Sequence, residues 1–289
     1  MTTPRSRPWL LFAMLTVFCW GIWGALIEIP EKAGFPETLG YCVWASTMIV
    51  PGVIVLTRSG RLDTSVTTAT LGLIIGLLGA GGQLILFTAL KTGPAYMVFP
   101  IISLSPLLTI LLSWALLRER TTRRAWTGIA LAIIAMPLLS YQTPHDDGRG
   151  GLWVILSFIV FACWGVQAYV MKLATRRADT PSIFVYMVIS AILLTPVAIA
   201  MTDFDQPINW GVTGPVAAFG IQLLNSVGAL LILYAFQHGK AIIVSPLTNA
   251  GAPIVTVALS LALYHTVPDG PLIGGIVLAL LAVFLMSEE

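Results

Sequence analysis

The side chains of this sequence best suited to hold a ligand are indoles and carboxamides set inside long apolar runs. Trp20, Trp23 and Ile27 follow i, i+3, i+7 spacing, which puts them on one face of a helix. Trp164, Gln167 and Met171 repeat that spacing far along the chain. Gln83, Gln222, Asn225 and Asn249 add carboxamides, each with two donor hydrogens and an acceptor oxygen. Indoles enclose or stack on an organic solute and amides orient it, so the set suits a neutral, zwitterionic or polyhydroxylated ligand. The competing account is hydrogen bonding between helices, worth about 0.6 kcal/mol on average within a membrane. That account serves for one amide better than for four together. The binding set is therefore Trp20, Trp23, Gln83, Trp164, Gln167, Asn225 and Asn249, with Trp44 a further deep indole.

Reagents for covalent chemistry are missing. His145, His238 and His265 fall in different loops or helix ends, no His-Glu-x-x-His occurs, and no aspartate interrupts an apolar run. Gly79-Ala80-Gly81-Gly82 lacks the Lys-Ser/Thr ending of a phosphate loop. Cys19, Cys42 and Cys163 lie within apolar runs as small buried hydrophobes, with no disulfide framework. The expectation is a protein that is not an enzyme and needs no metal or cofactor. Glu28, Lys91, Lys172, His238 and His265 stand at or near run ends, where side chains reach the interface. No carboxylate lies deep enough for an ordinary proton relay; Glu28 comes nearest.

The elements that must position these groups are membrane helices. With 57% hydrophobic and 10% charged residues and a mean hydropathy of +0.91, the 289-residue chain departs far from soluble composition. Its apolar residues form blocks of about 20, the length that spans a hydrocarbon core of about 30 Å. The predicted spans are 9–29, 39–56, 68–90, 95–117, 125–140, 151–173, 183–201, 211–237, 241–264 and 272–286. The fold class is thus an all-α polytopic membrane protein with ten transmembrane helices, one membrane domain over 1–289. The first run is too long for a signal-peptide core and is read as a retained helix. Trp9, Trp126, Trp153 and Trp210 fall where interfacial belts are expected.

Positive charge sets the orientation. Of the 15 Lys and Arg residues, only Lys32, Lys91 and Arg149 fall in loops on the side opposite the N-terminus. Both termini are therefore predicted cytoplasmic, in an inner (plasma) membrane, and the Arg118–Arg124 run is a topology anchor rather than a nucleic-acid patch. The expected partners are a small-molecule solute and the lipid bilayer, with no nucleic acid, and the chain is read as a monomer.

Laid on the first half, the second half repeats it. Phe18-Cys19-Trp20-Gly21 returns as Ala162-Cys163-Trp164-Gly165, 144 positions later. Phe87 to Gly93 and Val98-Phe99-Pro100 return as Leu233 to Gly239 and Val244-Ser245-Pro246, 146 positions later. Five helices per repeat, over 8–141 and 151–287, is an odd number, so the repeats are inverted. Inverted repeats are the architecture of many secondary transporters, with the site near midplane between the halves. Pro100, Pro106, Pro246 and Pro253, in the fourth and ninth helices, each remove a backbone donor and are candidate kinks or gates. Gly72, Gly76 and Ala80 form a small-residue ridge on the third helix, with Gly79 and Gly82 beside it.

These residues resemble the drug/metabolite transporter superfamily, specifically its ten-helix EamA-type branch. The resemblance rests on Trp20-Gly21 and Trp164-Gly165, the passage Ala89 to Ala95, and Pro100 and Pro106 followed by Leu116-Leu117-Arg118-Glu119. His265 stands where the second repeat would place the counterpart of Glu119, a departure from the pattern. The resemblance implies transport of a small solute, often export, and fixes no substrate. Our expectation is a secondary carrier of a neutral or zwitterionic metabolite such as an amino acid, working by alternating access in export or facilitated exchange. A sugar or nucleoside carrier, or a non-transporting sensor or scaffold, is the alternative.

Overall fold

The computed structural model describes residues 7–139, 151–264 and 270–288. Arg5, His145, Arg149 and His265 lie outside them. Among the described residues the chain is all helical. Its ten span-scale helices are α1 (Pro8–Lys32), α2 (Glu37–Ser59), α3 (Val66–Thr92), α4 (Ala95–Ser103 with Ser105–Ala115), α5 (Arg123–Leu139), α6 (Leu152–Thr175), α7 (Thr180–Ala200), α8 (Val212–His238), α9 (Ala241–Tyr264) and α10 (Gly270–Ser287). Nine of the described helices are at least 18 residues long and apolar enough to cross a membrane; α5, at 17 residues, is slightly shorter.

Breaks fall beside prolines. α1 is interrupted at Ile27 ahead of Pro30, α2 at Met48 ahead of Pro51, α4 at Leu104 ahead of Pro106, and α7 at Leu194 ahead of Pro196. α8 begins in a wider turn at Gly214-Pro215. Each proline lacks the N–H its turn requires and crowds the preceding carbonyl. Pro100 sits inside an unbroken segment of α4, and α9 runs without interruption through both Pro246 and Pro253. Of the four candidate kink prolines, Pro106 alone adjoins a break.

The two repeats interlock. α1 packs against α8 and α9 of the other repeat, and α6 packs against α3 and α4. α3 also lies along α7, α2 along α8, and α5 along α10. Small residues make these crossings possible. An added Cβ on Gly228 would lie 2.5 Å from Trp20 Nε1, and one on Gly82 would lie 2.7 Å from Trp164 Nε1. On the neighbouring face, a Cβ on Gly21 would lie 2.4 Å from Val255 Cβ, and one on Gly165 2.7 Å from Leu108 Cβ. The Thr256 hydroxyl donates to the Gly21 carbonyl and the Thr109 hydroxyl to that of Gly165, both at 2.9 Å. Each Trp-Gly pair thus marks a double crossing, related to the other by the repeat.

The ridge on α3 meets α7 in the same manner, since Cβ atoms on Gly72 and Gly76 would lie 2.5 Å from Tyr186 Cβ and Ser190 Cβ. Trp153 departs from the belt expectation. It is 8% exposed because it packs directly on Gly93, where an added Cβ would be 2.2 Å from the indole. Trp126 and Trp210 are exposed.

Substituting Leu at Gly82 or Gly228 is expected to destabilise the protein by about 1–3 kcal/mol or more at either site, because each expels an indole from a crossing. Gly220, with nothing within 4 Å of its Cβ position, should accept Ala without loss. Thermal unfolding in detergent, followed for the three variants, checks the contrast.

Candidate functional site

Between the interlocked repeats lies a cavity of about 420 Å³. All seven residues of the binding set, Trp20, Trp23, Gln83, Trp164, Gln167, Asn225 and Asn249, line it. Pro253 lines it as well, whereas Pro100, Pro106 and Pro246 do not. α2 contributes Gly40, Tyr41, Met48 and the deep indole of Trp44. Its contribution follows from the packing of α2 on α8, a long-range pairing that no local spacing encodes.

The indoles are held rather than free. Trp20 Nε1 donates to the Asn225 carbonyl and Trp164 Nε1 to the Gly79 carbonyl, each at 3.3 Å. Asn225 and Gly79 stand in corresponding places of the two repeats. Their ring faces, not their N–H groups, are what remains to meet a solute. One turn on, the pseudo-symmetry holds in place but not in chemistry. Trp23 Nε1 donates to Gln222 Oε1 at 3.0 Å, while Gln167 Nε2 donates to the Ile75 carbonyl at 3.1 Å. Gln222, 6% exposed, also donates from Nε2 to the Gly40 carbonyl at 3.4 Å and so ties α8 to α1 and α2 together.

Other polar groups are available. Gln83 has no hydrogen-bond partner among the described residues, and Asn249, which donates to the Ser245 carbonyl at 2.9 Å, keeps its side-chain oxygen open. Trp44 Nε1 is buried without a partner, which costs about 1–3 kcal/mol unless a ligand or water takes the proton. No cluster of His, Cys, Asp or Glu among the described residues is suited to a metal ion.

Charge is distributed unevenly along the cavity. Glu31 and Glu37 line its mouth, on the side opposite the N-terminus, and no Lys, Arg or His lines it anywhere among the described residues. Glu31 and Glu37 come to the cavity because α1 breaks at Ile27 into the short helix Glu28–Lys32. Glu28 is exposed and paired with Lys32. At the other end the floor is formed by Met171, Phe236 and Ser245, all buried, and they close it from that side.

That closed end corrects a second expectation. Lys172 does not reach the interface: it is 7% exposed and donates to the Phe236 and Gly239 carbonyls, each at 2.6 Å. Glu119 is 6% exposed and accepts from Arg176 at 3.0 Å and from the Ile242 N–H at 3.1 Å. Both residues sit near helix ends by sequence. Burial comes from the α8–α9 turn closing over them, a contact between repeats.

Outside the membrane, Asp63 fixes the loop before α3. The Thr68 hydroxyl and the Ser65 N–H and hydroxyl hold its carboxyl below the usual carboxylate range. The contribution is present at neutral pH and is lost as pH falls through that lowered value.

An interlocked helical bundle with a central cavity open at one end is the form of a membrane transporter, and comparison with known proteins agrees. The chain belongs to the EamA-like transporter family, whose model matches residues 7–141 and again 151–288. It is therefore a transporter rather than an enzyme. It is 22% identical over 281 residues to the pseudopaline exporter CntI of Pseudomonas aeruginosa, covering 96% of this chain and 95% of that one. Protein LicB of Haemophilus influenzae is 26% identical over 174 residues, 57% of this chain and 58% of that one. An uncharacterized protein of Methanocaldococcus jannaschii is 28% identical over 134 residues, which are 46% of this chain but 95% of that protein. A solved crystal structure shares the fold, with a TM-score of 0.77 at 18% identity over 95% of this chain and 97% of that one.

A double-mutant cycle on Trp23→Phe and Gln222→Leu should return a coupling of about 0.6 kcal/mol, and no more than about 1.7, from denaturation in detergent. A coupling of zero would mean that the bond does not hold α1 on α8.

Proposed function

We propose that this chain is a secondary carrier in the cytoplasmic membrane, with both termini inside, that moves a small zwitterionic metabolite such as an amino acid by alternating access. The observation that carries the reading is the lining of the cavity. Two carboxylates at the mouth attract an ammonium group, and in a cleft with low-dielectric walls their field is focused rather than screened. Deeper, indole faces enclose the organic body of the solute and provide cation–π attraction, while Gln83 and Asn249 orient its polar groups. The mouth charge favours an ammonium-bearing solute over a sugar, which offers it no charge to attract. The 420 Å³ volume lies within the range of small-molecule sites.

Direction is read as export, a reading supported by the exporter among the relatives. Alternating access follows from the inverted repeats: exchanging their relative positions closes the present mouth and opens the opposite end. The single chain supplies both halves of the cavity, which supports a functional monomer.

Reconstituted in liposomes, the protein should give saturable flux of at least one member of a labelled panel of amino acids, sugars, nucleosides and cationic dyes, tested with and without a proton gradient. Trp20→Ala and Trp164→Ala should each abolish it in folded protein, and Glu31→Gln with Glu37→Gln should weaken competition by amines while sparing that by sugars. Saturable flux of a sugar with none of any amine would overturn the zwitterion assignment. Absence of saturable flux across every class would overturn the carrier itself.

A further inference from the structure

The closed end of the cavity carries charges that the binding site does not use. Lys172, at the end of α6, gives its ammonium protons to Phe236 and Gly239, the terminal carbonyls of α8. Glu119, just after α4, takes the N–H of Ile242 at the start of α9 and the guanidinium of Arg176. A cation therefore sits at a helix C-terminus and an anion at a helix N-terminus, the favourable partner for each end of the peptide dipole. Arg118 adopts a left-handed backbone with φ of 54°, uncommon outside glycine, and this turns Glu119 inward while Arg118 itself stays exposed. Four helices from both repeats are tied at one turn, directly beneath the cavity floor at Met171 and Phe236.

The repeat relation says what should stand at the opposite end. Lys172 corresponds to Glu28, Arg176 to Lys32, and the α8–α9 turn to the α3–α4 turn. In this structure Glu28 is exposed and paired with Lys32, so the position equivalent to Lys172 offers a carboxylate, not a cation, to the α3–α4 turn. The clasp is therefore complete at one end, and at the other a carboxylate stands in place of its lysine. We infer that Lys172, Glu119 and Arg176 are gate-positioning residues whose one-sided clasp makes the form open opposite the termini the resting state of the transporter. Its release is then the step that admits solute from the side of the termini. The inference rests on the alternating-access reading above.

Hydrogen–deuterium exchange on the full-length protein in lipid nanodiscs, without solute, tests it. In Lys172→Met, amides of the α8–α9 turn should exchange about ten- to a hundredfold faster, in keeping with the loss of hydrogen bonds to a charged group. Amides around the mouth, residues 30–40, should at the same time exchange more slowly, since opening one end closes the other. Glu28→Lys, which supplies the missing cation at the mouth end, should by itself slow the mouth and quicken the α8–α9 turn. Faster exchange at the turn with an unchanged or faster mouth marks a merely structural pair and overturns the inference. So does a Glu28→Lys profile matching the parent, which keeps the test decisive if Lys172→Met does not fold. Because no flux is read, failure of the carrier assignment would appear in the liposome assay and failure of the clasp here.

Discussion

Trp20 seats its indole where Gly228 has no side chain, and Trp164 does the same on Gly82. Much else follows from this repeated contact. A membrane supplies no hydrophobic drive between helices, so close approach must come from small residues and a few buried hydrogen bonds. The glycine after each tryptophan lets α9 or α4 press against the same turn, and Thr256 or Thr109 bonds its carbonyl. The first helix of each repeat is thereby wedged into the other repeat. Neither half can bury its polar groups alone, and the cavity exists only because the two are interlocked.

Polar chemistry is sorted by depth around that framework. Near the crossings the side chains are uncharged, and most of their donors are spent on carbonyls of a neighbouring helix. Charge is confined to the two ends, as its cost in hydrocarbon requires. At the mouth it consists of carboxylates facing the cavity; at the floor it is consumed in helix-end contacts. The inverted repeats place equivalent backbone at both ends, yet Lys172 at one end stands where Glu28 stands at the other. In the carrier reading proposed above, pseudo-symmetry supplies two related conformations, and the departures from it decide which one is preferred.

Much of this was legible from residues alone. Hydropathy gave the helices, the recurrence of Trp-Gly gave the inverted halves, one-face spacing gave Trp20, Trp23, Trp164 and Gln167, and residue type within apolar runs gave Gln83, Asn225 and Asn249. What escaped were pairings between distant helices. Trp20 and Trp164 read as two faces turned to one seam; that each indole N–H is taken by a carbonyl of the opposite repeat needs the crossing itself. Lys172 lies four residues before the Arg176-Arg177 pair and resembles a snorkelling lysine until the α8–α9 turn is laid over it. Glu31 and Glu37 flank a loop, and only the break in α1 at Ile27 brings them to the mouth. Proline identity was an equally partial guide: Pro106 adjoins a break, whereas Pro100 and its repeat counterpart Pro246 lie in unbroken helix.

The claim that ties these features together is that one cavity serves both faces of the membrane in turn. A single cysteine at Gln83, in a background with Cys19, Cys42 and Cys163 replaced by alanine, tests it through a membrane-impermeant thiol reagent applied to one face of sealed, oriented vesicles at a time. The account predicts modification from either face, faster from the side opposite the termini. Reaction from that side alone, unchanged by any transported solute, would contradict it and leave a receptor-like pocket instead of a carrier.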